Sequence, residues 1–169
     1  LSAKNNQDEL YLTDTIGMFR AAMHVEVDDT EEVNGVNDKQ QISNCESIIQ
    51  RHLREYWMQK GVKFIDKDSC TLSESCDFGS DVVIEPQTHI RGRCNIGNGC
   101  KIGLNALINN SDLGANVTVV HSVINEAEIG SDVQVGPFAH IRPQTIIGAK
   151  CKIGNFVEIK KSVLGMETK

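Results

Sequence analysis

The sequence predicts a mainly β chain wound as a parallel β-helix, and three observations predict it. An aliphatic or aromatic anchor returns every six residues through Leu72, Phe78, Ile84, Ile90, Ile96, Ile102 and Ile108. After a five-residue step to Leu113 it continues through Val119, Ile124, Ile129, Val135, Ile141, Ile147, Ile153, Ile159 and Leu164. Glycine follows many of these anchors, as in Phe78-Gly79 and Ile153-Gly154, and a small or β-branched residue stands four places after most of them, from Val82 and Thr88 to Cys151 and Val157. The pattern describes one short strand per hexapeptide, with three strands closing a triangular coil of 18 residues.

Each class of position has a physical role. The anchors fill the interior, the small residues fit its narrow corners, and the glycines are expected to accept positive φ at the turns. Coils stack about 4.8 Å apart, so about five coils from Leu72 to Leu164 form a prism roughly 24 Å long. One coil buries too little to stand alone, and its neighbours supply the core. A β-sandwich is the rival, but its strands alternate with period two between loops of varied length, which does not keep anchors in strict six-residue register.

Residues 1–39 do not follow the repeat. Thr13 is placed to cap a helix carrying Ile16, Met18, Phe19, Ala22 and Met23, after which Met23, Val25 and Val27 alternate like a strand. Helix then strand is the rhythm of an α/β unit. Glu26 to Glu32 reads as a solvated acidic turn, and Gly35-Val36-Asn37-Asp38 as a turn able to present a side-chain amide. From about Asp38 to Lys60 the spacing becomes helical, with Ile42, Cys45, Ile48, Ile49, Leu53, Trp57 and Met58 on one apolar face and Gly61 as the stop. Such a helix is a linker arm of roughly 32 Å. Trp57 is read as a packing residue.

Composition narrows the function classes. There is no run of about 18 apolar residues and no charged-then-apolar leader, so the expectation is a cytoplasmic protein with no membrane partner. The net charge of −6 is concentrated in residues 1–39, with nine acids against three bases, and the remainder balances at fourteen of each. No basic stripe exists to neutralise phosphates, which argues against a nucleic-acid partner. Of six cysteines, Cys70, Cys76, Cys94, Cys100 and Cys151 fall on the small inward position, and no CxxC pair occurs. They are read as packed thiols rather than metal ligands or disulfides. The chain opens on Leu1 and stops at Lys169 just after an anchor, which reads as an internal piece of a longer protein.

Four strings carry a resemblance. They are Tyr11-Leu12-Thr13-Asp14, Gly35-Val36-Asn37-Asp38, Gly136-Pro137-Phe138-Ala139-His140-Ile141-Arg142-Pro143 and Gly154-Asn155-Phe156-Val157-Glu158-Ile159-Lys160-Lys161, in that order. With them the whole chain resembles the middle of the bacterial bifunctional N-acetylglucosamine-1-phosphate uridyltransferase / glucosamine-1-phosphate acetyltransferase family, in details closest to cyanobacterial members. The resemblance implies a left-handed parallel β-helix (hexapeptide repeat) preceded by a long linker helix and the C-terminal end of an α/β nucleotidyltransferase domain. The implied boundaries are 1–39 for the end of the uridyltransferase domain, 40–60 for the linker helix and 61–169 for the first part of the acetyltransferase domain.

The resemblance also implies chemistry. The family moves acetyl from acetyl-CoA to glucosamine-1-phosphate, then joins the product to UTP with Mg²⁺ to give the nucleotide sugar used for peptidoglycan and lipopolysaccharide. Asn37 matches a family residue that helps hold Mg²⁺ and touches the nucleotide sugar. Arg142 and Lys160 match two cationic contacts to the phosphosugar. Ile141 and Ile159 are one coil apart, so Arg142 and Lys160 are expected on adjacent rungs of one side, one position off in phase, with Glu158 beside them.

No catalytic residue is assigned within the chain. The general-base histidine is expected beyond Lys169, and none of His24, His52, His89, His121 and His140 matches it; His140 is read as a surface residue. A homotrimer is implied by the family alone. One departure is a segment between Asp14 and Gly35 that is a few residues shorter than the family pattern and lacks its usual glycine turn. Two other readings stay open: a non-catalytic hexapeptide scaffold, and a small stand-alone acyltransferase using His121 or His140.

Overall fold

The computed structural model describes residues 12–19, 21, 23–33 and 35–169. The chain divides into two compact units, Leu1–Val36 and Asn37–Lys169. Within the first, the described residues form short 3₁₀ turns at Leu12–Met18 and Thr30–Val33. The expected alternating strand over Met23 to Val27 is not formed, and Met23 and Val25 stand 96% and 86% exposed. A strand needs a hydrogen-bonded neighbour, and none is described for it. The side chain of Thr13, its proposed capping role, and Tyr11 and Ala22 lie outside the described residues.

The second unit is a parallel solenoid of six coils carried by three six-stranded sheets. The first sheet runs from Lys63–Phe64 to Lys152–Ile153, the second from Thr71–Leu72 to Glu158–Ile159, and the third from Cys76–Phe78 to Val163–Leu164. The coils number six rather than about five: the strands from Thr71–Leu72 to Val163–Leu164 already number seventeen, and Lys63–Phe64, which pairs with Val83–Ile84, supplies the eighteenth and completes the first coil. A 3₁₀ turn at Lys67–Ser69 stretches the step from Phe64 to Leu72, which hides that first anchor from a six-residue count.

Burial follows the pattern of anchors and small residues. Ile84, Ile90, Ile102, Ile108, Ile124 and Ile141 are completely buried, and so are the small positions Val82, Thr88, Cys94, Cys100, Val117, Val133 and Cys151. Cys70, Cys76, Cys94, Cys100 and Cys151 are free buried thiols. Val157, in the last coil, is the small position left 37% exposed.

The corners work differently from the expectation. Positive φ is taken mainly by non-glycine residues three places after an anchor, such as Asp81, Asn105, Asn116, Asp132, Gln144 and Lys150. Most of the glycines that follow anchors are needed instead for close approach between coils. A Cβ on Gly97 would lie 2.5 Å from the Gly114 carbonyl, and one on Gly130 would lie 2.6 Å from the Ala149 backbone nitrogen. Gly136 combines the two roles, with φ +100 and a Cβ position that would collide with the Val120 carbonyl.

At three of the four steps that shorten to five residues, serine completes the turn; the step from Ile124 to Ile129 has Ala127 there. Ser111, Ser122 and Ser162 each donate their hydroxyl to the carbonyl two residues back, at 2.8, 2.6 and 2.8 Å. Ser111 and Ser122 then accept the backbone N–H of Ala127 and Ala139 in the next coil, both at 3.1 Å. The hydroxyl thus satisfies buried backbone groups that a shortened corner would leave unpaired.

The α-helix Lys39–Gln59 begins at a capping box in which Asp38 accepts from the Gln41 backbone and Gln41 reaches back to the cap. Its buried residues are Gln50, Arg54 and Trp57, whereas Ile42 and Ile49 are exposed, so the buried face is rotated from the expected apolar stripe. The cause is the open edge of the second sheet. Gln50 Nε2 donates to the Leu72 carbonyl at 2.7 Å while its Oε1 accepts the Leu72 N–H at 2.8 Å, so the side-chain amide takes the place of a further strand. Arg54 Nη1 donates to the Cys70 carbonyl at 3.1 Å. Trp57 packs edge-on against Phe78, ring centroids 4.9 Å apart, at the start of the third sheet.

Candidate functional site

Successive side chains of a strand point to opposite faces, so residues flanking a buried anchor face outward. In the second sheet His140 and Arg142 flank Ile141, and Glu158 and Lys160 flank Ile159. The register pairs His140 with Glu158 and Ile141 with Ile159, and the Arg142 N–H donates to the Ile159 carbonyl at 2.8 Å. Arg142 and Lys160 therefore share one phase on adjacent rungs, each directly after its anchor, rather than standing one position apart.

Arg142 Nη1 donates to Glu158 Oε1 at 2.6 Å, a short charge-assisted hydrogen bond between half-exposed side chains. This bond, and then the charge of the same guanidinium, hold the Glu158 carboxyl below its usual range, with smaller contributions from the charges of His140 and Lys160. On the other side His140 Nε2 lies 3.3 Å from Asn125 Nδ2. With the amide donating, Nε2 is the acceptor and a neutral ring carries its proton on Nδ1.

The structure thus brings Arg142, Lys160, Glu158, His140 and Asn125 onto one outward patch. Its cations outnumber its single carboxylate, which suits a small anion. Glu158 engages one donor of a guanidinium that has five, and so orients the fork without exhausting it. A cleft of about 380 Å³ lined by Asp112, Glu128 and Ile146 lies over the third sheet, a different face from this patch.

His140 and Asn125 are the members that sequence reasoning did not place. The available signal was positional: Asn125 directly follows Ile124, which pairs with Ile141, and Asn125 therefore has the same phase as Arg142. A second feature also went unread. His121, Phe138 and Phe156 form a column along one corner, with centroids 5.4 and 5.3 Å apart and the two phenyl rings stacked at 13°. All three take positive φ, and Phe156 is 78% exposed.

Asn37 does not join this patch. It is exposed immediately before the helix, and its backbone N–H donates to Gln41 Oε1 at 2.5 Å. Magnesium takes about six oxygen ligands. Asn37 offers one amide oxygen, and the adjacent Asp38 carboxylate is engaged in capping the helix. The described residues of this unit do not complete a Mg²⁺ shell around Asn37, and no uridylyl-transfer step is derived from it.

The family model described as bacterial transferase hexapeptide (six repeats) matches residues 126–161. The bifunctional protein GlmU of Synechococcus sp. (strain CC9605) is 59% identical over all 169 residues of this chain, which cover 38% of that protein. GlmU of Prochlorococcus marinus (strain MIT 9313) is 57% identical over the same 169 residues, again 38% of its length. The chain therefore spans well under half of the curated relatives that it matches.

Among solved structures, a mutant of GDP-perosamine N-acetyl transferase from Caulobacter crescentus, in complex with CoA and GDP-perosamine, aligns with TM-score 0.58 at 19% identity. The alignment covers 72% of this chain and 60% of that one. The acetyltransferase domain of PglB from Neisseria gonorrhoeae aligns with TM-score 0.56 at 19% identity, covering 71% and 63%. These likenesses establish the solenoid fold. The sequence similarity to bifunctional GlmU proteins is sustained from end to end over the stretch of them that the chain spans.

Proposed function

We propose that this chain forms part of the acetyltransferase region of a bifunctional enzyme that transfers acetyl from acetyl-CoA to glucosamine-1-phosphate. The observation that carries the reading is the alignment of Arg142 and Lys160 on adjacent rungs, with Glu158 tethering the Arg142 guanidinium. The fork and the ammonium receive the sugar phosphate, Arg142 through paired donors and Lys160 as a compact charge. Glu158 fixes the direction of the fork before the phosphate arrives, which reduces the ordering cost of binding.

Acetyl-CoA, when bound, supplies a thioester whose acyl carbon is open to attack by the sugar amine. The amine must lose a proton as it is acylated, and the general base is assigned to a histidine beyond Lys169 rather than to His140. His140 and Asn125 complete the polar face beside the phosphate contacts. The whole protein is proposed to be cytoplasmic, to assemble as a homotrimer, and to carry UTP- and Mg²⁺-dependent uridylyl transfer toward peptidoglycan and lipopolysaccharide precursors. Residues 1–39 then belong to the end of the uridyltransferase domain, 40–60 to the linker helix and 61–169 to the acetyltransferase domain.

Thiol release from acetyl-CoA in the presence of glucosamine-1-phosphate, measured on this chain and on one extended C-terminally along the pattern of its GlmU relatives, tests the reading. Release by the extended chain alone supports it. Release by the 169-residue chain, abolished by His140→Ala, supports the stand-alone acyltransferase instead, an alternative that the placement of His140 beside Glu158 keeps specific.

A further inference from the structure

The third sheet pairs Cys76 directly with Cys94, in register on adjacent parallel strands. Neighbouring strands lie about 4.8 Å apart and in-register side chains point the same way. That separation is inside the range of roughly 4.4–6.8 Å that a disulfide spans between α-carbons. The other buried thiols have no such cysteine partner among the described residues. By register Cys70 stacks on Thr88, Cys100 lies between Val82 and Val117, and Cys151 stacks on Val133.

Each thiol donates to a backbone carbonyl, Cys76 to Gly92 at 3.5 Å and Cys94 to Arg91 at 3.2 Å. The neighbouring Cys76 thiol is the chief cause that brings the Cys94 thiol down to about 7, against the opposing effect of burial. The neighbouring Cys94, with burial, pushes the Cys76 thiol up. The pair therefore holds one thiolate more readily than an isolated buried cysteine does. Access comes from the helix side. Cys76 is 5% exposed and lines a cleft of about 500 Å³ with Tyr56, Trp57, Glu74, Ser75 and Arg93.

We propose that Cys76 and Cys94 are a peroxide-oxidisable dithiol, a covalent modification site that closes into a disulfide between the first and second coils. One thiolate of the pair attacks an oxygen of hydrogen peroxide, the O–O bond breaks, and the departing hydroxide takes a proton to leave as water. The product is a sulfenic acid. The partner sulfur attacks that sulfenic sulfur, the S–O bond breaks, and hydroxide leaves with the partner's proton as a second water. Two thiols and one peroxide thus give one disulfide and two waters. Cys76 borders the cleft and hydrogen peroxide is small enough to enter it, with Cys94 directly behind on the adjacent strand.

The test treats the native chain with hydrogen peroxide, stops the reaction with catalase, alkylates remaining thiols under denaturing conditions and maps peptides by mass spectrometry. The expected product is a Cys76–Cys94 linked pair lacking the mass of two hydrogens and released by dithiothreitol, with Cys70, Cys100 and Cys151 alkylated. In the Cys76→Ser variant the link is lost and Cys94 stops at a sulfenic or higher acid. Alkylation of both Cys76 and Cys94 after peroxide treatment, or a link from either to a different cysteine, would overturn the proposal. The wild-type experiment stands even where the serine variant does not fold.

Discussion

Arg142 and Glu158 are bound to each other across adjacent coils at 2.6 Å, although 16 residues separate them in the chain. The solenoid converts a spacing of nearly one coil into contact, and the phosphosugar reading depends on that contact. In an acetyl-transferring extended chain, Arg142→Ala is expected to raise KM for glucosamine-1-phosphate by about ten- to a hundredfold, from the loss of a charge-assisted hydrogen bond worth about 1.5–3 kcal/mol. Glu158→Gln is expected to raise KM less, because the fork remains but is no longer oriented. Steady-state kinetics with each variant distinguishes the two roles.

The same pair sets a pH dependence. Arg142 holds the Glu158 carboxyl below its usual value of 4.5. A depressed carboxyl stabilises the folded chain fully above the unfolded pKa, and that contribution disappears as pH falls through the lower folded value. The Glu158 side-chain resonance is expected to titrate with a midpoint below 4.5 and to move up in Arg142→Ala, as followed by NMR. An unchanged midpoint in the variant would remove Arg142 as the cause.

Gln50 caps the edge of the second sheet through both the N–H and the carbonyl of Leu72. Gln50→Ala leaves both backbone groups without this partner and is expected to cost about 1–3 kcal/mol in urea denaturation. Gln50→Glu retains an acceptor for the N–H but presents no donor to the carbonyl, and falls between the two.

The coil contacts at glycine make a contrast. Gly97→Ala puts a methyl 2.5 Å from the Gly114 backbone, while nothing lies within 4 Å of a methyl at Gly154. The first substitution is expected to lower stability by about 1–3 kcal/mol through overpacking and the second to change it by less than about 0.5 kcal/mol, as judged by denaturant midpoints.

Much of the fold was legible because the anchors repeat along one dimension, so a six-residue count locates strands from Leu72 to Leu164 without tertiary information. The count failed where local chemistry displaced it. The Lys67–Ser69 turn concealed the coil begun by Phe64, and the positive-φ corner fell to residues such as Asn105 and Asn116, leaving glycine to serve coil contact. The helix face was misread because Gln50 and Arg54 are polar, yet they are buried against strand-edge carbonyls that no helical periodicity reports. At the site, Arg142, Lys160 and Glu158 were visible from their strings, whereas Asn125 needed the register across a shortened coil. Serines at five-residue steps set that register, and their hydroxyl bonds are seen only in the folded chain.

The most direct measurement of the central claim is thiol release from acetyl-CoA with glucosamine-1-phosphate, using the C-terminally extended chain and its Arg142→Ala and Lys160→Ala variants. The account predicts release by the extended chain, with both variants raising KM for the phosphosugar while leaving KM for acetyl-CoA within about twofold, since their contacts are to the phosphate. Equal kinetics in all three chains would contradict it, and the patch around Arg142 would then be a surface ion pair with no part in the reaction.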